Sequence, residues 1–97
     1  MNIILKPSLK KEKKYDAVID GSETVSFGAK GYKDYTMHKD EERKQRYINR
    51  HKKNEQWDNP KTAGFWSRWA TWEKPTLKEA VDNINKKFKN INVKLQK

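Results

Sequence analysis

A chain of 97 residues can support one hydrophobic core and not two, and with 33% hydrophobic residues, 11% aromatic and four of them tryptophan, it must build that core largely from rings. The 23 Lys and Arg against 13 Asp and Glu leave a formal net charge of +10, which attracts anionic surfaces and opposes self-association, so nucleic acid, an anionic membrane and an acidic protein are the candidate partners. The lack of cysteine excludes disulfides and thiolate metal sites, and the longest aliphatic run, Ile3-Ile4-Leu5, falls far short of the roughly 20 apolar residues of a membrane span.

After that run, Lys6 to Lys14 is mostly lysine and lacks the apolar segment of a signal peptide. Residues 1–12 are expected to be flexible, a basic cluster lies at Lys10, Lys11, Lys13 and Lys14, and the protein is expected to act where it is made or within an assembly. Next, Tyr15-Asp-Ala-Val-Ile-Asp20 and Thr24-Val-Ser-Phe27 are two β-prone runs across Gly21-Ser22, which predicts a β-hairpin. Gly28 and Gly31 punctuate its exit.

From Asp40 to about Glu55 the pattern predicts a helix, with Asp40, Glu41 and Glu42 in its first turn and Lys52 and Lys53 near its end, complementing the helix dipole. Arg43, Arg46, Arg50 and Lys53 share a narrow arc of it, whereas Tyr47, Ile48 and His51 form a thin stripe facing the core. Pro60 closes this region, and Thr62 can cap a short helix through Phe65-Trp66-Ser-Arg-Trp69-Ala-Thr-Trp72. On a regular helical wheel Phe65, Trp69 and Trp72 share a face, with Trp66 at its margin.

Thr76-Leu-Lys-Glu79 has the form of a capping box, and Leu77, Ala80, Val81, Ile84 and Phe88 follow amphipathic helical spacing. In the tail, Ile91, Val93 and Leu95 alternate with polar residues, predicting a strand added to the hairpin, with residues 96–97 flexible. The expected fold is a single basic α+β domain over residues 1–97, in which a small hairpin-based sheet with a C-terminal strand packs against two to three helices.

No residue pattern points to catalysis. There is no cysteine nucleophile, P-loop, GxGxxG or HExxH, and His38 and His51 have no third ligand near them in the chain, so neither an enzyme nor a metal or other cofactor is expected. Helix-start electrostatics accounts for the Asp40–Glu42 cluster. By contrast, Arg43, Lys44, Arg46, Arg50, Lys52 and Lys53 form a run of cations with no acid among them. Such a stripe can follow a phosphate backbone without reading sequence, because guanidinium forks match phosphate oxygens and each neutralised phosphate releases counterions.

The lysines at 10–14 form a second contact, and Lys86, Lys87, Lys89, Lys94 and Lys97 can extend it. Trp69 and Trp72 are expected in the core. Trp57 and Trp66 are open between core and surface, and an exposed tryptophan near Arg68 could stack on a base or meet a protein partner.

Three strings carry a resemblance: Tyr35 to Glu55, Lys61 to Trp69 and Trp72 to Leu77, preceded by Phe27-Gly-Ala-Lys-Gly31-Tyr-Lys-Asp34-Tyr-Thr36. Together, over roughly residues 13–90, they resemble a family of small basic proteins of nucleocytoplasmic large DNA viruses, the mimivirus and phycodnavirus groups among them. Residues 58–60 and 70–71 fit that pattern less well. The resemblance implies a viral setting in the infected cell, in the viral factory, cytoplasm or nucleus, or in the virion. The expected function is binding of nucleic acid, DNA in the first place, in genome organisation or packaging. The alternative is a minor capsid or core protein that meets an acidic protein surface among the virion proteins.

Overall fold

In the computed structural model, which describes residues 1–53, 55 and 57–96, the N-terminal apolar run is a strand, β1 (Asn2–Pro7). Residues 2–7 of the segment expected to be flexible are thus paired in the sheet. Ile3 and Leu5 point inward and are fully buried, and a hairpin alone is too small a sheet to hold a core. The hairpin forms as expected from β2 (Lys13–Ile19) and β3 (Glu23–Ala29), with Tyr15 opposite Phe27 and Ala17 opposite Val25. At its tip Asp20 and Gly21 both take positive φ, 50° and 73°, as a type I′ turn requires.

The order across the sheet is β3-β2-β1-β4. The last strand, β4 (Asn92–Leu95), runs parallel to β1 with Ile3 opposite Val93, so the C-terminal strand joins the sheet beside β1 and not beside the hairpin. Gln96 continues this ladder, its N–H donating to the Leu5 carbonyl at 2.8 Å. It therefore does not form the flexible end expected of residues 96–97, and Lys97 lies outside the described residues.

The three expected helices start where their sequence signals lie, and a short helix that was not expected precedes them. Asp34 caps α1 (Tyr35–His38), Asp40 caps α2 (Glu41–His51) and Thr62 caps α3 (Ala63–Trp66), each through its side-chain oxygen. Thr76 caps α4 (Leu77–Lys87), its Oγ1 accepting the Glu79 N–H at 3.2 Å and donating to the Glu79 carboxylate at 3.1 Å. The second helix stops at His51, short of the expected Glu55. Glu55 folds back, its carboxylate meeting His51 Nδ1 at 2.7 Å and accepting from Trp57 Nε1 at 3.1 Å.

The third helix runs into a π-helical turn, Ser67–Thr71. One face of the sheet (Ile3, Leu5, Ala17, Ile19, Phe27, Val93) packs on Phe65, Trp66 and Ala70 from this segment and on Val81 and Ile84 from α4. Against the other strand residues, Asp16 is buried and accepts from Ser26 Oγ at 2.6 Å, Ser8 Oγ at 2.7 Å and the Leu9 N–H at 3.5 Å. Burial alone would raise its pKa, but these donors outweigh burial and hold the carboxyl below its ordinary value. Asp16 thus pins the β1–β2 turn, and with it the lysines at 10–14, to the sheet.

Candidate functional site

The helix α2 stands off the main core and docks through a second, aromatic contact. Tyr47 stacks on Trp72 with ring centroids 4.4 Å apart and planes within 1°, and on its other side lies 4.4 Å from the His51 ring. Burial pushes the Tyr47 hydroxyl well above its ordinary pKa, with the Glu55 carboxylate adding to the effect. Lys44 fastens the helix from its flank. Its Nζ donates to the Glu73 carbonyl at 2.9 Å, lies 3.8 Å from the Glu73 carboxylate and sits over the Tyr35 ring.

Because only one stripe of α2 is used for docking, an open groove of about 1120 Å³ remains between this helix, the end of the β2–β3 hairpin and α3. Small residues explain the space. On the α3 side it is lined by Ala63, Gly64, Ser67 and Thr71, and on the hairpin side by Gly28, Ala29 and Gly31. Gly28 has φ +77°, and a β-carbon there would lie 3.2 Å from Lys14 Cβ, so both the backbone conformation and the close approach call for glycine.

Arg43, Arg46 and Arg50 line the groove from α2, on either side of Tyr47. All three are solvent-exposed, and among the described residues none has a carboxylate within 4.0 Å. Across from them, Lys13 and Lys33 line the hairpin side. The acids of the lining, Asp34 and Glu55, are already engaged with Lys14 at 2.7 Å and His51 at 2.7 Å. The groove therefore carries an excess of unpaired positive charge on two sides.

The other expected site residues divide clearly. Lys52 and Lys53 are exposed at the C-terminal end of α2, outside the groove lining, and Lys10 and Lys11 are exposed in the β1–β2 turn. Lys14 is not a flexible contact. Its side chain is 15% exposed, and its Nζ donates to Asp34 Oδ2 at 2.7 Å and to the Tyr32 carbonyl at 2.5 Å. Lys44 likewise leaves the stripe for Glu73.

Trp66 is not available for stacking either. It is fully buried against Phe27 and Phe65, and its Nε1 donates to the Pro60 carbonyl at 2.6 Å. Arg68 is buried between the half-buried rings of Trp57 and Trp69, at 5.2 and 4.4 Å, and pairs with Glu73 at 2.6 Å. The guanidinium braces the fold and is not a surface contact. Lys87 is drawn over the Trp69 ring at 5.0 Å. Two groove residues, Tyr32 and Lys33, were not singled out in the sequence; the glycines at 28 and 31 were the available signal that this loop bends into a wall.

His38 also lines the groove. Its Nδ1 accepts the Asp40 N–H at 3.0 Å, its ring lies 5.2 Å from Trp72, and its Nε2 is buried with no hydrogen-bond partner among the described residues. Burial first, and then the Arg43 charge, hold its pKa below the ordinary value of 6.5. The unfolded chain therefore takes up this proton before the folded one does. Stability is kept above about pH 6.5 and falls as pH drops from there toward the lowered folded value, at no more than about 1.4 kcal/mol per pH unit for one proton. Unfolding in urea at about pH 7.5 and pH 5.5 checks this: the loss between the two should shrink in His38→Gln, and an unchanged loss would clear His38 of the effect.

Among the described residues no group of three or more His, Asp or Glu is placed to hold a metal ion, and no helix is long and apolar enough to cross a membrane. No curated protein and no solved structure matches the chain. A family of unknown function (DUF5754) matches residues 3–51, from β1 through the last turn of α2. That span includes the groove arginines Arg43, Arg46 and Arg50 together with Lys13, Tyr32 and Lys33, whereas the α3 side of the groove and the helices covering the sheet lie beyond it. As the match takes in just over half of its 97 residues, the chain belongs to this family of unknown function (DUF5754).

Proposed function

We propose that the protein binds nucleic acid, DNA in the first place, through the phosphate backbone and largely without reading sequence. The observation that carries this reading is the row Arg43, Arg46 and Arg50, exposed, unpaired with any acid among the described residues, and facing a groove with further cations across it. Row and charge suit a polyanion with regularly spaced charges, since each guanidinium can take a phosphate and release its counterions. Cations set along both sides of a groove suit a flat anionic membrane less well. The resemblance to small basic proteins of large DNA viruses supports a viral setting, with genome organisation or packaging as the role.

Titration of a labelled random-sequence DNA at several salt concentrations tests the reading. With four or more phosphates engaged, log K should fall with log salt at a slope of about −3 or steeper. No binding at low salt, or binding indifferent to salt, would sink it. A saturable complex with an acidic virion protein that survives nuclease would then identify the cations as a protein-docking surface.

A further inference from the structure

Resting on the nucleic-acid reading above, we propose that the groove takes a single strand and not a duplex. The first reason is where the cations point. Arg43, Arg46 and Arg50 face into the groove, and Lys13 and Lys33 line its other side, so one backbone is addressed from two sides.

The second reason is the face of α2 that a duplex could reach. At 3.6 residues per turn, Glu42, Gln45 and Asn49 share the outer face of the helix with Arg46, all exposed. One arginine beside an acid and two amides makes a poor approach to paired phosphate backbones. Lys52 and Lys53 are confined to the end of the helix.

The third reason is Tyr32. It lines the groove, and its ring is 74% exposed. Its backbone is fixed, because Lys14 Nζ donates to its carbonyl at 2.5 Å while also holding Asp34. A ring left free on a pinned backbone, next to Lys33, is a platform for one unpaired base, and a base inside a duplex has no free face to offer it. Phosphates on the arginine row with a base on Tyr32 make a phosphate-and-stacking clamp. Single-stranded DNA and RNA share this chemistry.

The test compares labelled 12-nucleotide deoxy and ribo strands of mixed sequence with the DNA duplex of the same length, by fluorescence anisotropy at matched salt. At least one strand should bind on the order of ten-fold more tightly than the duplex, with a shallower salt slope per phosphate, about 0.7 against 0.9. Tyr32→Ala should cost the strand about ten-fold and leave the duplex unchanged, and Tyr32→Phe should restore strand binding. The better of the two strands identifies the sugar. Duplex binding equal to or tighter than both strands, or strand binding indifferent to Tyr32→Ala, would overturn the single-strand proposal while leaving the nucleic-acid reading standing. Failure of all three probes at low salt would overturn both.

Discussion

Replacing Trp66 by alanine should bring the domain to the edge of unfolding. The indole is fully buried, stacked 6.1 Å from Phe27 on the sheet and edge-on to Phe65 at 4.9 Å. It therefore joins α3 to the hairpin at the point where the sheet and the helical layer meet. Truncating a buried tryptophan costs about 3–5 kcal/mol through lost burial and the cavity left behind. The Pro60 carbonyl loses its indole donor as well, which adds about 1 kcal/mol or more where water cannot replace it.

A domain of this size has only about 5–15 kcal/mol in hand, and each kcal/mol shifts the melting temperature by about 4–8 °C. A fall on the order of 15–30 °C in thermal unfolding followed by circular dichroism is the expected result. Trp66→Phe should lose much less, because it keeps a ring against Phe27. A fall below about 5 °C in Trp66→Ala would mean that the indole is not the joint between the two layers.

The position of Trp66 also shows where reading the sequence stops. A regular helical wheel over residues 65–72 puts Phe65, Trp69 and Trp72 on one face and Trp66 at the margin. The π-helical turn at Ser67–Thr71 changes the residues per turn inside that window, so Phe65 and Trp66 enter the core and Trp69 and Trp72 end up half-buried at its edges. No composition signal marks that turn. Where the period is regular the reading transfers well: the hairpin across Gly21-Ser22, the helix starting near Asp40 and the Thr76–Glu79 capping box all carry local signals that decide the local structure.

The first strand was illegible for another reason. Three apolar residues followed by Lys6 and Pro7 show no alternation, and what makes them a strand is pairing with β2 on one side and with β4, from the far end of the chain, on the other. The binding residues divide in the same way. The period of Arg43, Arg46 and Arg50 is local and could be read. That Lys44 and Lys14 are occupied could not, because their partners Glu73 and Asp34 lie 29 and 20 residues away.

Removing the three groove arginines together, in Arg43→Ala/Arg46→Ala/Arg50→Ala, should abolish most nucleic-acid binding and leave the fold intact. All three side chains are exposed, and the docking of α2 rests on Tyr47, His51 and Lys44, so the melting temperature should move by only a few degrees. A charge-assisted contact is worth about 1.5–3 kcal/mol when desolvated. Discounted for exposure to about 1 kcal/mol each, three such contacts amount to a loss on the order of 100-fold.

The salt slope should flatten by about two, as two to three phosphate contacts disappear. Charge alone is controlled by Lys86→Ala/Lys89→Ala/Lys94→Ala, which removes the same number of cations from exposed positions outside the groove lining. A weak, uniform decrease there beside a large one in the arginine variant places binding in the groove. Equal losses in both variants would mean that the net charge of +10 acts as a diffuse cloud, and that the row on α2 has no special part in holding the strand.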